Sequence, residues 1–542
     1  MNRRHFLLSL AATAAAVGVY TRRRSGNPAL TGEILGAANA VGHLLRAGRF
    51  PEPIEERKQP VVIMGGGIAG LSAGWQLARA GLHDFEILEL ENEVGGNSRS
   101  GENPITPYPW GAHYIPFPTQ ESTAVRELLA ELGVLQGDPQ AEQPVYEERY
   151  ISGAPQERLY RRGVWQEGLW PQLGVSRQDL DQYQRFQDLM AGFQHRRGQD
   201  GRKAFAIPME LSAQDPDLLA LDRLSIRDFL LNQGLDSAPL HWHVDYACRD
   251  DYGCRASEVS AWAGIHYFAS RDGRALYADS DSVLTWPEGN GWVVKQLRQR
   301  LQPGITTDAL VFGVTEREQD VLVEVFLTRE NRSIRILAQE LIWASPSFLI
   351  PYILREADQA LVAALREFQY APWLVANLSL RMFPQEHKGM APAWDNVIYD
   401  SDSLGYVVAT HQSLVTHPDA TVLTYYYPLA SSPPAQARRA LLARSWQDWV
   451  EWILRDLSHP HPDIRQWVSH IDIFRWGHAM IRPRIGFVWG EARQRVLAQQ
   501  GRIHFAHSDL SAYSVFEEAL YRGVLAADQV LGRLGGFDTQ VL

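Results

Sequence analysis

One short segment restricts the fold of this chain more than any other. The apolar run Pro60-Val61-Val62-Ile63-Met64 leads without a break into Gly65-Gly66-Gly67-Ile68-Ala69-Gly70. Five apolar residues before a glycine turn read as a buried parallel strand. The stretch after the turn predicts a helix through Ala80, stopped by Gly81, and Phe85–Leu88 predicts a second strand ending at Glu89. Each part has a mechanical task. Gly65 permits the tight turn, and Gly67 lets backbone approach a pyrophosphate seated on the helix N-terminus at Ile68 and Ala69. Gly70 allows helix and strand to pack closely, and Glu89 can accept hydrogen bonds from ribose hydroxyls. The unit binds a dinucleotide.

At 542 residues the chain is too long for one simple core, and two intertwined domains are expected. Its 45% hydrophobic and 21% charged residues are those of a globular protein. A net charge of −11 argues against nucleic acid as a partner, because phosphate recognition needs a basic face. The two cysteines, Cys248 and Cys254, lack zinc spacing and are either free thiols or one short-loop disulfide.

The N-terminus reads as an address. Asn2-Arg3-Arg4-His5-Phe6 has the pattern of a twin-arginine export signal, and the apolar run Phe6–Tyr20 is too short for a stable membrane span. Ala38-Asn39-Ala40 offers small residues for cleavage, and residues 25–58 read as linker or processing region. The expected location is periplasmic or otherwise exported, with the twin-arginine machinery as a partner. That route carries folded proteins, which suits a chain folded around a cofactor.

Several further segments resemble the flavin-containing amine oxidoreductases, the superfamily of monoamine and polyamine oxidases, protoporphyrinogen oxidase and phytoene desaturases. Glu89-Leu90-Glu91-Asn92-Glu93-Val94-Gly95-Gly96 is similar to the segment whose glycine pair lies along the FAD diphosphate, followed here by Asn97, Ser98 and Arg99. Trp110-Gly111-Ala112-His113-Tyr114-Ile115 resembles the loop passing the flavin ring. Val311 matches a strand that meets the adenine, and Ala344-Ser345-Pro346 a turn closing the middle of the cofactor domain. Near the C-terminus, Phe505-Ala506-His507-Ser508-Asp509 and then Phe516-Glu517-Glu518-Ala519 resemble the acidic strand end and the long helix that complete the site.

The resemblance implies an α/β fold: a Rossmann-like FAD-binding domain with an interleaved α+β substrate domain. Its expected pieces are a signal region 1–40, a linker 41–58, cofactor-domain segments 59–130, 284–350 and 471–542, and substrate-domain segments 131–283 and 351–470. It also implies non-covalent FAD, since no cysteine lies near the C-terminal flavin segment. Departures are visible. Asn97 stands where the family has arginine, leaving Arg99 as the replacement phosphate partner, and His507 stands where the family has glycine.

The chemistry is less clearly signed. The lysine that amine oxidases carry a few residues after the A-x-P turn is absent near Pro351, and the aromatic position before the last helix is Val515. His478, in Arg475-Trp476-Gly477-His478-Ala479-Met480, is a candidate proton donor or acceptor, and Tyr513 a candidate replacement aromatic. Tyr425, Tyr426 and Tyr427 alternate on a predicted strand, one face of which could line a cavity. His241, His243 and Asp245 would share a face on a strand but diverge on a helix, and the segment's spacing favours the helix, so no metal is expected. Arg249-Asp250-Asp251-Tyr252-Gly253 reads as an ion-pair turn or part of a substrate pocket. The leading expectation is an exported FAD enzyme that takes hydride from an amine or related C–H donor, with oxygen or another acceptor reoxidising the flavin. The alternatives are a desaturase or isomerase of an extended or porphyrin-like substrate, and a non-catalytic flavin-bearing subunit.

Overall fold

The run Pro60–Met64 is the buried half of a longer strand, Pro53–Met64, at the centre of the cofactor sheet in a computed structural model that describes residues 30–279, 282–384, 389–413 and 419–536. Phe85–Leu88 lies parallel on one side of it and Arg332–Trp343 parallel on the other. Ile305–Thr306 extends the sheet beyond Phe85–Leu88. The first half of Arg332–Trp343 pairs antiparallel with Val321–Leu327, which pairs with Ala309–Glu316, and its end pairs parallel with Ile503–Phe505. Strands from three distant parts of the sequence therefore meet in one sheet.

Small residues set the packing on this sheet. In the helix Ile68–Arg79, a Cβ on Gly70 would fall 1.8 Å from the Gly65 carbonyl oxygen. The final helix, Phe516–Leu534, crosses the same helix, and a Cβ on Gly523 would fall 2.1 Å from the Ala69 carbonyl oxygen. Backbone cannot yield as a side chain can, so both positions require glycine.

A second sheet, eight-stranded among the described residues, forms the other domain. Its order is Ile34–Gly36, Val468–Ile481, Tyr370–Leu380, Thr421–Pro428, Gly405–Val408, Asp395–Ile398, Glu157–Arg161 and Val164–Glu167. Helices such as Arg177–His195, Ala238–Tyr252 and Ala261–Ala269 pack between this sheet and the cofactor domain. Cys248 and Cys254 are buried free thiols there, the latter accepting a 2.9 Å hydrogen bond from Arg482 Nε. No described helix is long and apolar enough to cross a membrane.

The expected boundaries need two corrections. The described part of the expected processing region is not a linker. Ile34–Gly36 adds a parallel edge strand beside Ile473–Arg475, short helices follow at Asn39–Gly42 and Leu44–Ala47, and Pro53–Lys58 already belongs to the central strand. Low hydrophobicity hid these elements because they are edge and surface pieces. The boundary at 470/471 also falls inside the strand Val468–Ile481, all of which belongs to the substrate sheet. The twin-arginine motif lies outside the described residues.

A paired substitution tests the helix crossing. Gly523→Ala should lower the thermal midpoint, at a cost of about 1–3 kcal/mol from overpacking. Gly532→Ala, in the same helix with nothing within 4 Å of the added carbon, should raise it slightly. Equal midpoints would remove the steric account.

Candidate active site

The dinucleotide end of the site is built from bare backbone. Gly65 turns at φ 112°, and its amide donates to the Leu88 carbonyl oxygen at 2.8 Å, tying the turn to the neighbouring strand. No side chain caps the helix starting at Ile68, so its first-turn amides, including those of Ile68, Ala69 and Gly70, are open to an anion. The second glycine pair lies against this turn. Gly95 N donates to Gly66 O at 2.8 Å, and a Cβ on Gly96 would lie 3.3 Å from the Gly67 Cα. Side chains at either position would fill the corridor between them, which suits a diphosphate.

Glu89 ends the second strand. One carboxyl oxygen accepts from Gly66 N at 2.8 Å and the other from Glu91 N at 2.9 Å. Burial outweighs these bonds and pushes its carboxyl up to about 7. Ser98 is buried in the turn. Arg99 does not stand free as a phosphate partner: its guanidinium bonds Glu93 at 2.7 Å and Glu91 at 3.4 Å. Val311 lies on its expected strand, paired with Val325 beside a register shift at Phe312. At the other lip of the groove, buried Asp509 accepts from Ser347 N at 2.8 Å and Tyr370 OH at 2.6 Å, with His507 Nδ1 3.0 Å away. Burial alone would raise its carboxyl, but His507, Tyr370 and Ser347 together hold it below the usual carboxylate range. Ser508 is buried beside it.

The groove opens into a cavity of about 140 Å³ whose wall carries Asn97, the loop Gly111–Tyr114 and Phe516. The loop is fixed from several sides. Ala112 N donates to Asn97 O at 2.8 Å, Tyr426 OH to Gly111 O at 2.9 Å, and Trp476 Nε1 to Trp110 O at 2.7 Å. Asn97 Nδ2 donates to Ala479 O at 2.6 Å and so ties the cofactor turn to the substrate sheet. His113 stacks on Tyr426 at 4.6 Å, and burial pushes its imidazole down to about 4, keeping it neutral. The final helix also starts without a side-chain cap, at Phe516 on the cavity wall. Asn290 Oδ1 on the same wall is buried without a hydrogen-bond partner, an acceptor suited to a ring N–H. Together the glycine corridor, two open helix N-termini and this acceptor fit an FAD laid from Glu89 to Phe516.

The remaining wall carries the charge. Asp250, Asp251, Glu517 and Arg271 all face this cavity, beside Trp373, Trp476 and Met480. Arg271 is bound to Asp251 at 2.5 Å. Asp250 has only a long contact to Tyr114 OH, at 3.4 Å, and burial together with the adjacent Asp251 pushes its carboxyl up to about 7. Burial does the same to Glu517. The cavity thus holds three carboxyl groups against one cation.

Neither candidate catalytic residue joins this wall. Tyr513 is buried in the core behind it, its hydroxyl 3.0 Å from His266 Nε2, while the following residues Ser514–Glu517 face the cavity. His478 is exposed at the groove, stacked on Phe348 at 4.4 Å, and does not line the cavity, although Trp476, Ala479 and Met480 do. Surrounding protein and the charges of Arg438, Arg46 and His43 push its imidazole down to about 4. His241, His243 and Asp245 diverge on the helix Ala238–Tyr252, and Asp245 pairs with Arg255 at 2.8 Å. Among the described residues no group of three or more His, Cys, Asp or Glu could hold a metal ion. From sequence, Asp250 and Asp251 read as an ion-pair turn or pocket, and the structure makes them both. The usable signal was two adjacent carboxylates close to Tyr246, Ala247, Cys248 and Tyr252, residues that bury.

In the protein without cofactor, Glu89, Glu517 and Asp250 bind protons more tightly folded than unfolded. The contribution of these three carboxyls to stability therefore falls as pH rises from about 4.5 through about 7, while His113, His243 and His266, kept neutral by burial, contribute in the opposite sense over the lower part of that range. Glu89→Gln should remove its share of that fall in thermal melts across this range; an unchanged slope would show that Glu89 does not titrate there.

The match to known proteins follows this geometry. Residues 63–132 match the NAD(P)-binding Rossmann-like domain. No curated protein sequence matches the chain. Among solved structures, wild-type putrescine oxidase bound to putrescine superposes with a TM-score of 0.63 at 17% identity, covering 88% of this chain and 100% of that one. Cyclohexylamine oxidase from Brevibacterium oxydans IH-35A gives 0.61 at 17% identity, covering 88% and 99%. The CLA-producing fatty acid isomerase from P. acnes gives 0.59 at 16% identity, covering 86% and 97%. The chain shares the fold of these solved structures, an α/β architecture with a Rossmann-like dinucleotide domain.

Proposed function

We propose that this chain is an exported FAD-dependent oxidoreductase that oxidises an amine. The observation that carries the reading is the charge of the cavity beside the expected flavin position. Asp250, Asp251 and Glu517 outnumber Arg271, which Asp251 already engages. A protonated amine entering there meets carboxylates beside the aromatic side chains of Tyr426 and Trp476. Bound FAD supplies the hydride acceptor. The protein's tasks are to orient the donor carbon, exclude water and remove the ammonium proton. Asp250, raised toward neutrality, is the carboxylate placed to take that proton, which leaves the amine lone pair free as hydride departs. Oxygen or another acceptor then regenerates the flavin.

A desaturase or isomerase reading draws on the apolar wall of Trp373, Val375 and Met480 and on the likeness to a fatty acid isomerase. A carboxylated substrate would need a free cation in the cavity, and Arg271 is committed to Asp251. A non-catalytic subunit has no need of an open cavity at this position.

The protein should be yellow as purified, and a panel of mono- and diamines added without oxygen should bleach it. Bleaching by fatty acids or by no amine at all would overturn the amine reading. With a reducing amine in hand, Asp250→Asn should lower kcat roughly a hundredfold near neutral pH and remove the rise in rate through pH 7. Export is tested separately: Arg3→Lys with Arg4→Lys should leave the protein in the cytoplasm, and continued export would overturn the signal assignment.

A further inference from the structure

The segment before the central strand runs the whole length of the cofactor groove. It begins on the substrate side, where Ile34, Leu35 and Gly36 pair with Ile473, Phe474 and Arg475, and Leu35 packs on the cluster of Tyr108, Trp110 and Phe474 at the base of the Gly111 loop. It then crosses to the ribose side, where Ala38 N donates to Glu91 Oε1 at 2.7 Å, two residues past Glu89. It ends over the adenine side. Val41, Leu44 and Leu45 pack with Leu90, Leu310 and Phe312, and Phe50 stacks on Phe312 at 4.1 Å and 14°. The helix Leu44–Ala47 also packs on Ile350–Ile353, just beyond the turn that holds Asp509. The segment thus touches both lips of the groove.

The basic side chains His43 and Arg46 are exposed on this bridge, on the side of His478. The corridor between Gly67 and Gly96 favours a positive partner for two phosphate charges. Asn97 is neutral, and Arg99 is held by Glu91 and Glu93.

We propose that residues 34–50 form a strap that retains the dinucleotide, with Arg46 as the cation facing its diphosphate. The strap anchors through Ile34–Gly36 at one end and Phe50 at the other, and Arg46 replaces the charge that Arg99 cannot deliver. Cofactor must then enter before the strap docks and leave after it lifts. The inference rests on FAD as the cofactor and is independent of the substrate.

The test is the rate of FAD release from the yellow holoprotein, followed by recovery of free flavin fluorescence on dilution. Arg46→Ala should speed release about tenfold, as expected for the loss of one charge-assisted contact, and Arg46→Lys should restore most of the retention. The effect should shrink at high salt. Phe50→Ala should speed release at all salt concentrations. Should Phe50→Ala fail to fold, trypsin gives a second measurement on the unaltered chain, because FAD should slow cleavage after Arg46 and Arg49 relative to other sites. Wild-type release from Arg46→Ala, or cleavage at these two bonds indifferent to FAD, overturns the strap. A protein that binds no FAD at all fails the cofactor reading instead.

Discussion

Everything in the cofactor domain depends on two stretches of backbone approaching without side chains between them. Gly66 and Gly67 lie against Gly95 and Gly96, joined by the hydrogen bond from Gly95 N to Gly66 O. A side chain on Gly66 would reach within 2.6 Å of Val94 Cγ1, and one on Gly96 would press on Gly67. The approach exists because the helix Ile68–Arg79 is itself pressed close to the sheet by Gly70 and to the final helix by Gly523. Close packing and ligand access are thus one constraint. The glycines that let the helices touch also leave open amides at the helix start, where an anion gains most.

The second domain contributes charge and shape where the first contributes backbone. Its long strand Val468–Ile481 brings Trp476, Ala479 and Met480 to the cavity, while Ala238–Tyr252 brings Asp250 and Asp251 from the opposite side. The loop Gly111–Tyr114 is the joint, hydrogen-bonded to Tyr426 and Asn97 and backed by Trp476. Carboxyl groups gathered in so small a space cannot all remain ionised, and Asp250, beside the Arg271-bound Asp251, is where a proton would settle.

The dinucleotide unit was legible because its signals are local. The strand, the glycine turn, the helix and Glu89 follow one another within about thirty residues, as such units require. The cavity was not legible in the same way. Asp250, Arg271, Trp373, Tyr426 and Glu517 are far apart in the chain and meet only through tertiary packing. Tyr513 illustrates the limit: its place before the last helix pointed to the site, yet the left-handed turn at Ala512 and the bond to His266 take it into the core. His478 sits among cavity residues along its strand and falls on the groove instead. The segment 30–58 was missed because an edge strand of three residues and two single-turn helices carry no periodicity to read.

That edge strand would also feel any cut made near the N-terminus. Ile34–Gly36 covers one border of the substrate sheet, and its partner Val468–Ile481 is the longest strand there. Proteolytic trimming at Ala38–Ala40 would strip this cover and present unpaired amides and carbonyls of Ile471–Arg475 to other chains. A leader removed upstream of Thr31 would leave the sheet sealed. The position of such a cut would therefore decide between a monodisperse protein and one prone to sticking edge to edge.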